Sequence, residues 1–192
     1  MSRRYALVID QERCIGCEAC TVACKIENKA ATYWIRVETQ NAAKKDTPQG
    51  RFPDLMMTFL PHLCMHCDEP PCADACPVEA IVKREDGPVV LEEQKCDGCR
   101  ACLDACPYDA ICFSQEKEVV EKCNFCVHRI EQGLEPFCVV CCEGQAMFFG
   151  DLNDPSSQVS MIVADRETFQ LNPEAETGPS VYYCPPKPRR KL

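Results

Sequence analysis

Nineteen cysteines in a chain of 192 residues limit what it can fold into, and their spacing limits it further. They fall into four groups: Cys14-x2-Cys17-x2-Cys20-x3-Cys24, Cys64-x2-Cys67-x4-Cys72-x3-Cys76, Cys96-x2-Cys99-x2-Cys102-x3-Cys106 and Cys123-x2-Cys126-x11-Cys138-x3-Cys142. Three thiolates at x2 spacing suit a cubane, because one short looping turn wraps three of its corners. The fourth, three residues on, is expected to start a helix that points away and reaches a neighbouring cluster. Structural zinc favours two cysteine pairs with a longer spacer and has no use for a third cysteine at x2 followed by another at x3. Disulfides require an oxidising compartment and suitable Cα separations, and nineteen is an odd number. Both remain as the competing readings.

The C-x2-C-x2-C-x3-C-P run is the signature of two-cluster bacterial ferredoxins, in which the fourth cysteine ligates the other cluster. Group three, followed by Pro107, matches it outright, and group two is likewise followed by Pro77. Three cysteines are left over. Cys112, in the run AICF, and Cys184, in VYYC, read as packed small hydrophobes. Cys141 adjoins Cys142 and stays open as an alternative ligand, although the x3 step selects Cys142.

A net charge of −9 excludes nucleic acid as the expected partner, since phosphate binding needs a basic face. No apolar stretch approaches the roughly 18 residues of a membrane span, so the chain itself is not expected in the membrane. Arg3 and Arg4 precede an apolar run of only five residues, 5–9, too short for a secretory signal. Cytoplasm is therefore the expected location, with export alongside a partner the alternative. The basic end KPRRKL reads as solvated.

The four groups form an internal repeat and imply an α+β fold of two ferredoxin-like units, one inserted in the other. Groups one and four (residues 1–27 and 114–152) make unit A, and groups two and three (residues 61–113) make unit B. Residues 28–60 read as an inserted hairpin, and residues 153–192 as a helix and an extended C-terminal arm. Hairpins are expected in AIVK-REDG-PVVLE, turning at Asp86-Gly87, and around SQEKE. Short helices are expected just after the fourth cysteines, with Pro77 and Pro107 in their first turns. Another is expected from Asp154, as its cap, to about Arg166. The arm from Gln170 reads as wrapping a partner or its own domain rather than as a core element. Cluster ligation is expected to supply much of the folding energy.

The segments CIGCEACTVACKIEN, CMHCDEPPCADACPVEAI, CDGCRACLDACPYDAI and KCNFCVHRIEQGLEPFCVVCCEGQAMFFGDLNDP carry a family likeness over about residues 5–184. The chain resembles the four-cluster iron–sulfur (beta) subunits of the molybdopterin, or dimethyl sulfoxide reductase, superfamily of oxidoreductases. Polysulfide, thiosulfate, tetrathionate and arsenate reductases and formate dehydrogenases have such subunits. The resemblance implies four [4Fe–4S] clusters. Cys14, Cys17, Cys20 and Cys142 would hold the first, and Cys123, Cys126, Cys138 and Cys24 the second. Cys64, Cys67, Cys72 and Cys106 would hold the third, and Cys96, Cys99, Cys102 and Cys76 the fourth. It also implies that the first cluster faces the catalytic subunit and that the others lead away in a chain. Two positions depart from the pattern: Glu143 stands where proline is usual, and Cys141 where a small residue is usual.

The expected function is non-catalytic electron transfer, in anaerobic metabolism, to or from a large molybdenum or tungsten pterin subunit. A membrane anchor or a soluble donor would be a further partner. No Ser-His-Asp, Cys-His or phosphate-loop constellation stands out. His66, His128 and Arg129 are candidates for tuning cluster potential, with local backbone bonding as their alternative role. An electron carrier of another complex (a hydrogenase or a tungsten aldehyde oxidoreductase) and a free polyferredoxin are the rival readings. The segment GDLNDPSS and the arm favour a subunit, since a free carrier has little need of added elements.

Overall fold

A computed structural model of the chain describes residues 3–40, 42 and 44–187, so most of the basic end lies outside the described residues. In chain order the strands are β1 (Tyr5–Asp10), β2 (Arg36–Thr39), β3 (Phe59–His62), β4 (Ile81–Lys83), β5 (Val89–Leu91), β6 (Cys112–Ser114), β7 (Val119–Glu121), β8 (Met147–Asp151) and β9 (Val181–Cys184). The α-helices are α1 (Ala19–Glu27), α2 (Pro71–Asp74), α3 (Ala101–Ala105), α4 (Val127–Ile130), α5 (Phe137–Val140) and α6 (Gln158–Asp165).

The near-continuous apolar run of β1 marks a strand covered on both faces. It pairs antiparallel with β8, Ile9 opposite Met147, and parallel with β9, Leu7 opposite Val181. Successive side chains point to opposite faces. Ala6 and Val8 therefore pack with Val159 of α6 and Cys184, while Leu7 and Ile9 enter the larger core that contains Cys20, Cys24, Cys64, Cys67, Cys123 and Cys138. Groups one and four are brought together by this sheet and by the packing of α1 against α5.

The three expected hairpins form: β2 with β3, β4 with β5 and β6 with β7, all antiparallel. At the turn between β4 and β5, Gly87 has φ 109°, a value that its missing Cβ permits. The second and third of these hairpins enclose a core of Cys72, Ile81, Val89, Cys102, Ile111 and Val120. The hairpin of the insert is tied to this region by Glu121, which is buried at the end of β7. Its carboxylate accepts the amides of Ala31 (3.1 Å) and Thr32 (2.8 Å), the Thr32 hydroxyl (2.6 Å) and the Trp34 indole N–H (3.3 Å).

The helices of the repeat lie before the fourth cysteines, not after them. Helices α1, α2, α3 and α5 each contain the third cysteine of their group (Cys20, Cys72, Cys102 and Cys138). The reason is steric in groups two and three. A residue before proline is pushed out of the α region, so α2 and α3 end before Pro77 and Pro107, and those prolines open a turn. In that turn Glu79 and Asp109 take φ 50°, as Gln145 takes φ 47° at the matching place in group four. Groups one and four lack that proline: α5 nevertheless ends at Val140, whereas α1 runs through Cys24 to Glu27.

The helix expected from Asp154 begins at Gln158, with Ser157 at its N-cap. The Asp154 carboxylate instead accepts the amide (2.8 Å) and hydroxyl (2.7 Å) of Ser156, a local turn that competes with helix initiation. At the other end of α6, Arg166 donates to the buried Asp10 at 2.7 Å. The arm also departs from expectation, because its end is the core strand β9. Tyr183, fully buried, stacks on Phe169 at 5.5 Å and donates its hydroxyl to the Pro61 carbonyl at 2.9 Å. Before β9 the arm straps group two, accepting from the Asp68 amide at Gly178 (2.9 Å) and from Glu69 at Thr177 (3.1 Å). No helix among the described residues is long and apolar enough to cross a membrane.

Candidate metal centres

Three cavities are each ringed by four cysteines, and in each the fourth thiol comes from a different group. Cys14, Cys17, Cys20 and Cys142 line the first, with Ile15, Val37 and Met147 among their neighbours. Cys64, Cys67, Cys72 and Cys106 line the second, with Met65, Val89 and Ile111. Cys76, Cys96, Cys99 and Cys102 line the third, with Ile81, Leu91 and Val120. The remaining cysteines of groups one and four also meet. The Asn28 side-chain amide lies 3.7 Å from the Cys24 sulfur and 3.6 Å from that of Cys126. Burial drives the Cys123 and Cys138 thiols well above the ordinary range, and each is raised further by Cys126 and Cys24 beside it.

The loops that present these thiols repeat one backbone feature. The residue before the second cysteine of each group is left-handed: Gly16 (φ 70°), His66 (φ 47°), Gly98 (φ 73°) and Phe125 (φ 54°). At Gly98 glycine is required on two counts, since a Cβ would also stand 2.5 Å from the Glu118 carbonyl oxygen. Where groups two and four depart from glycine, their side chains meet. The His66 ring stacks on Phe125 with centroids 3.5 Å apart.

A second repeated feature is a hydrogen bond to the fourth cysteine. The Ala80 amide donates to the Cys76 sulfur at 3.2 Å, and the Ala146 amide to that of Cys142 at 3.2 Å. Cys106 receives the amides of Ala110 and Tyr108. Each donor alanine follows its cysteine by four residues, at the end of the left-handed turn. In group one the helix continues instead, and Asn28 occupies that place with a side-chain N–H.

The donor sets fit an iron–sulfur cluster. The thiols surround a space instead of gathering on a point, and among the described residues no three His, Cys, Asp or Glu side chains are placed to hold a single ion. Burial, with neighbouring thiols adding to it, pushes Cys20, Cys24 and Cys72 up to about 12 and Cys102 to about 11. Thiols so crowded become thiolates when a bound cationic core reverses the local field. Hydrogen bonds from backbone N–H groups to sulfur then stabilise the charged form.

Cys142 lines the first cavity, whereas the Cys141 thiol turns back to the Cys138 carbonyl at 3.6 Å. Cys184 is fully buried in β9; Cys112 is half-buried and donates to the Tyr33 carbonyl at 3.6 Å. His128 and Arg129 both reach Glu27 at the end of α1, at 2.9 and 3.1 Å, and so tie α4 to α1. His66 is fully buried. Its Nδ1 accepts the Val89 amide at 3.0 Å, its Nε2 has no partner among the described residues, and burial, then Lys122 and Lys83, hold its pKa well below the ordinary value. Two functional neighbours, Asn28 and Lys122, escaped the reading of the sequence. The i+4 register of Asn28 from Cys24 is an available signal; nothing in the sequence around Lys122, beside Glu121 at a strand end, marks it as buried.

A family model described as "4Fe-4S dicluster domain" matches residues 55–152, and another of the same description matches residues 13–80. A tetrathionate reductase subunit of Salmonella typhimurium is 44% identical, over 94% of this chain and 72% of the relative. The arsenate respiratory reductase iron–sulfur subunit of a Shewanella species is 34% identical, over 94% of this chain and 95% of the relative. A polysulfide reductase chain of Wolinella succinogenes is also 34% identical, over 97% of each. Four sets of four cysteines, two dicluster matches and these likenesses over most of the chain agree: the chain belongs to the 4Fe-4S dicluster family, among the iron–sulfur subunits of dimethyl sulfoxide reductase-type complexes, and carries four [4Fe–4S] clusters.

Proposed function

We propose that the chain relays electrons to or from a molybdopterin catalytic subunit through clusters held by the four cysteine sets described above. Cys14, Cys17, Cys20 and Cys142 hold the first cluster, and Cys123, Cys126, Cys138 and Cys24 the second. Cys64, Cys67, Cys72 and Cys106 hold the third, and Cys96, Cys99, Cys102 and Cys76 the fourth. The observation that carries this reading is the exchange of the fourth thiol at each cavity, which pairs group one with group four and group two with group three. The same exchange supports two nested units, with residues 61–113 set between the halves of the other.

Bound clusters supply one-electron redox chemistry. The protein's own part is to fix the thiols on short loops, to exclude water with Val37, Met65, Ile81, Val89 and Met147, and to donate N–H groups to sulfur. Rigid ligation and apolar walls limit reorganisation when charge arrives or leaves, and hydrogen bonding and burial set the potentials. Catalysis belongs to the partner.

The test is anaerobic purification of the chain from its source under gentle conditions. A large pterin-containing subunit is expected to accompany it in a fixed ratio. A different metalloenzyme in that place, or no partner at all, would overturn the assignment.

A further inference from the structure

Lys122 is only 2% exposed, and a buried charge is costly unless it is compensated. Its ammonium donates to two carbonyl oxygens, that of Val89 at close range and that of Cys123 at 3.1 Å. These dipoles leave its charge in place. The lysine ion pairs among the described residues are made by Lys45, Lys83, Lys95 and Lys117, not by Lys122. Glu121, next to it in sequence, is taken by Lys117 and by the insert.

Val89, whose carbonyl Lys122 holds, lines the cavity of Cys64, Cys67, Cys72 and Cys106. The Val89 amide donates to His66 Nδ1, so Val89 is hydrogen-bonded at both its amide and its carbonyl. The positive charge is felt at Cys72 and Cys106, where it opposes the upward push of burial. A cubane with four thiolates is anionic, and more so after gaining an electron. In a site of low polarity a fixed cation nearby favours the reduced form.

We propose that Lys122 is the built-in counter-charge of the cluster held by Cys64, Cys67, Cys72 and Cys106, raising its reduction potential relative to a neutral residue at the same place. The inference rests on the ligand sets above, and its test separates the two. Lys122→Gln, Lys122→Met and Lys122→Arg are made in the full chain within its complex. Iron is counted first, and the four potentials are then read by redox titration followed by electron paramagnetic resonance. The signal of interest is the one altered in a Cys72→Ser variant. With iron complete, the two neutral variants are expected to move that one potential downward, while Lys122→Arg stays near the parent. If the neutral variants lose this cluster and Lys122→Arg keeps it, the charge is again what matters. Unchanged potentials in iron-complete neutral variants overturn the inference but leave the ligand sets standing. So does a Lys122→Arg variant that shifts, or loses the cluster, as the neutral ones do. Absence of iron–sulfur signals from the parent chain would instead sink the earlier reading.

Discussion

Glu121 shows how a residue whose sequence neighbours give no sign of its role can still be decisive. In VVEK it resembles a solvent-facing charge at a strand end, yet it is 3% exposed and gathers four donors from the insert. Burial alone would raise its pKa; the Thr32 hydroxyl, Lys117 and the amides of Thr32 and Ala31 outweigh that and hold it at about 2. Because the folded value is depressed, its contribution is complete above the ordinary value of 4.5 and is lost as pH falls from there towards 2. Amide exchange at Ala31 and Thr32 reads this directly. Protection is expected to stay level down to about pH 5 and to fall below it. In Glu121→Gln it is expected to be low throughout, by about 2 kcal/mol, or roughly thirtyfold. Equal protection in the two proteins at neutral pH would show that the carboxylate does not anchor the insert. At this scale the grouping of the cysteines was legible, because spacing alone gives it, and three of the sets of four meet at cavities. Asn28, Lys122 and Glu121 were not legible, because their roles depend on which distant segments pack against them.

At the scale of elements, the strands and hairpins were readable from alternation and turn residues, as at Asp86-Gly87. The helices differ from expectation because Pro77 and Pro107 make the fourth cysteine of groups two and three a helix end, not a helix start. The arm was misread for a different reason. Its prolines suggest an extended segment, but nothing in VYYC alone says that β1 has a free edge to receive it. With Tyr183 buried between Phe169 and Pro61, the arm belongs to the core and behaves accordingly under mutation. Tyr183→Ala is expected to cost about 3–5 kcal/mol, and Tyr183→Phe, which loses only the hydroxyl bond, about 1 kcal/mol. The guanidinium concentration at which the cluster absorbance bleaches should fall in that order. Near-identical bleaching for Tyr183→Ala and the parent would mean that the strap is dispensable.

For the whole molecule, folding and ligation are expected to be one event. Nine of the buried core residues are thiols of the four groups: Cys20, Cys24, Cys64, Cys67, Cys72, Cys102, Cys123, Cys126 and Cys138. Without metal, such a core has less apolar surface to bury than its cysteine-rich composition suggests, and binding energy becomes folding energy. With the fourth thiols exchanged as proposed, the clusters would also be long-range staples. Cys24 lies on α1, four residues from Cys20, yet it sits beside Cys126 from about a hundred residues further along the chain, with the Asn28 amide reaching both sulfurs. Cys24→Ser is therefore expected to perturb the spectrum of the cluster held by Cys123, Cys126 and Cys138 and to leave that of Cys14, Cys17 and Cys20 intact. The reverse pattern would refute the pairing of groups one and four.

The central claim is that all four cysteine sets hold cubanes, and metal content tests it most directly. Chain purified without oxygen, in complex with its partner or alone, is analysed for iron, acid-labile sulfide and zinc per polypeptide after the partner's own iron is subtracted. About sixteen iron and about sixteen sulfide are expected, four of each per cluster. Zinc as the principal metal, with little sulfide, would contradict the account.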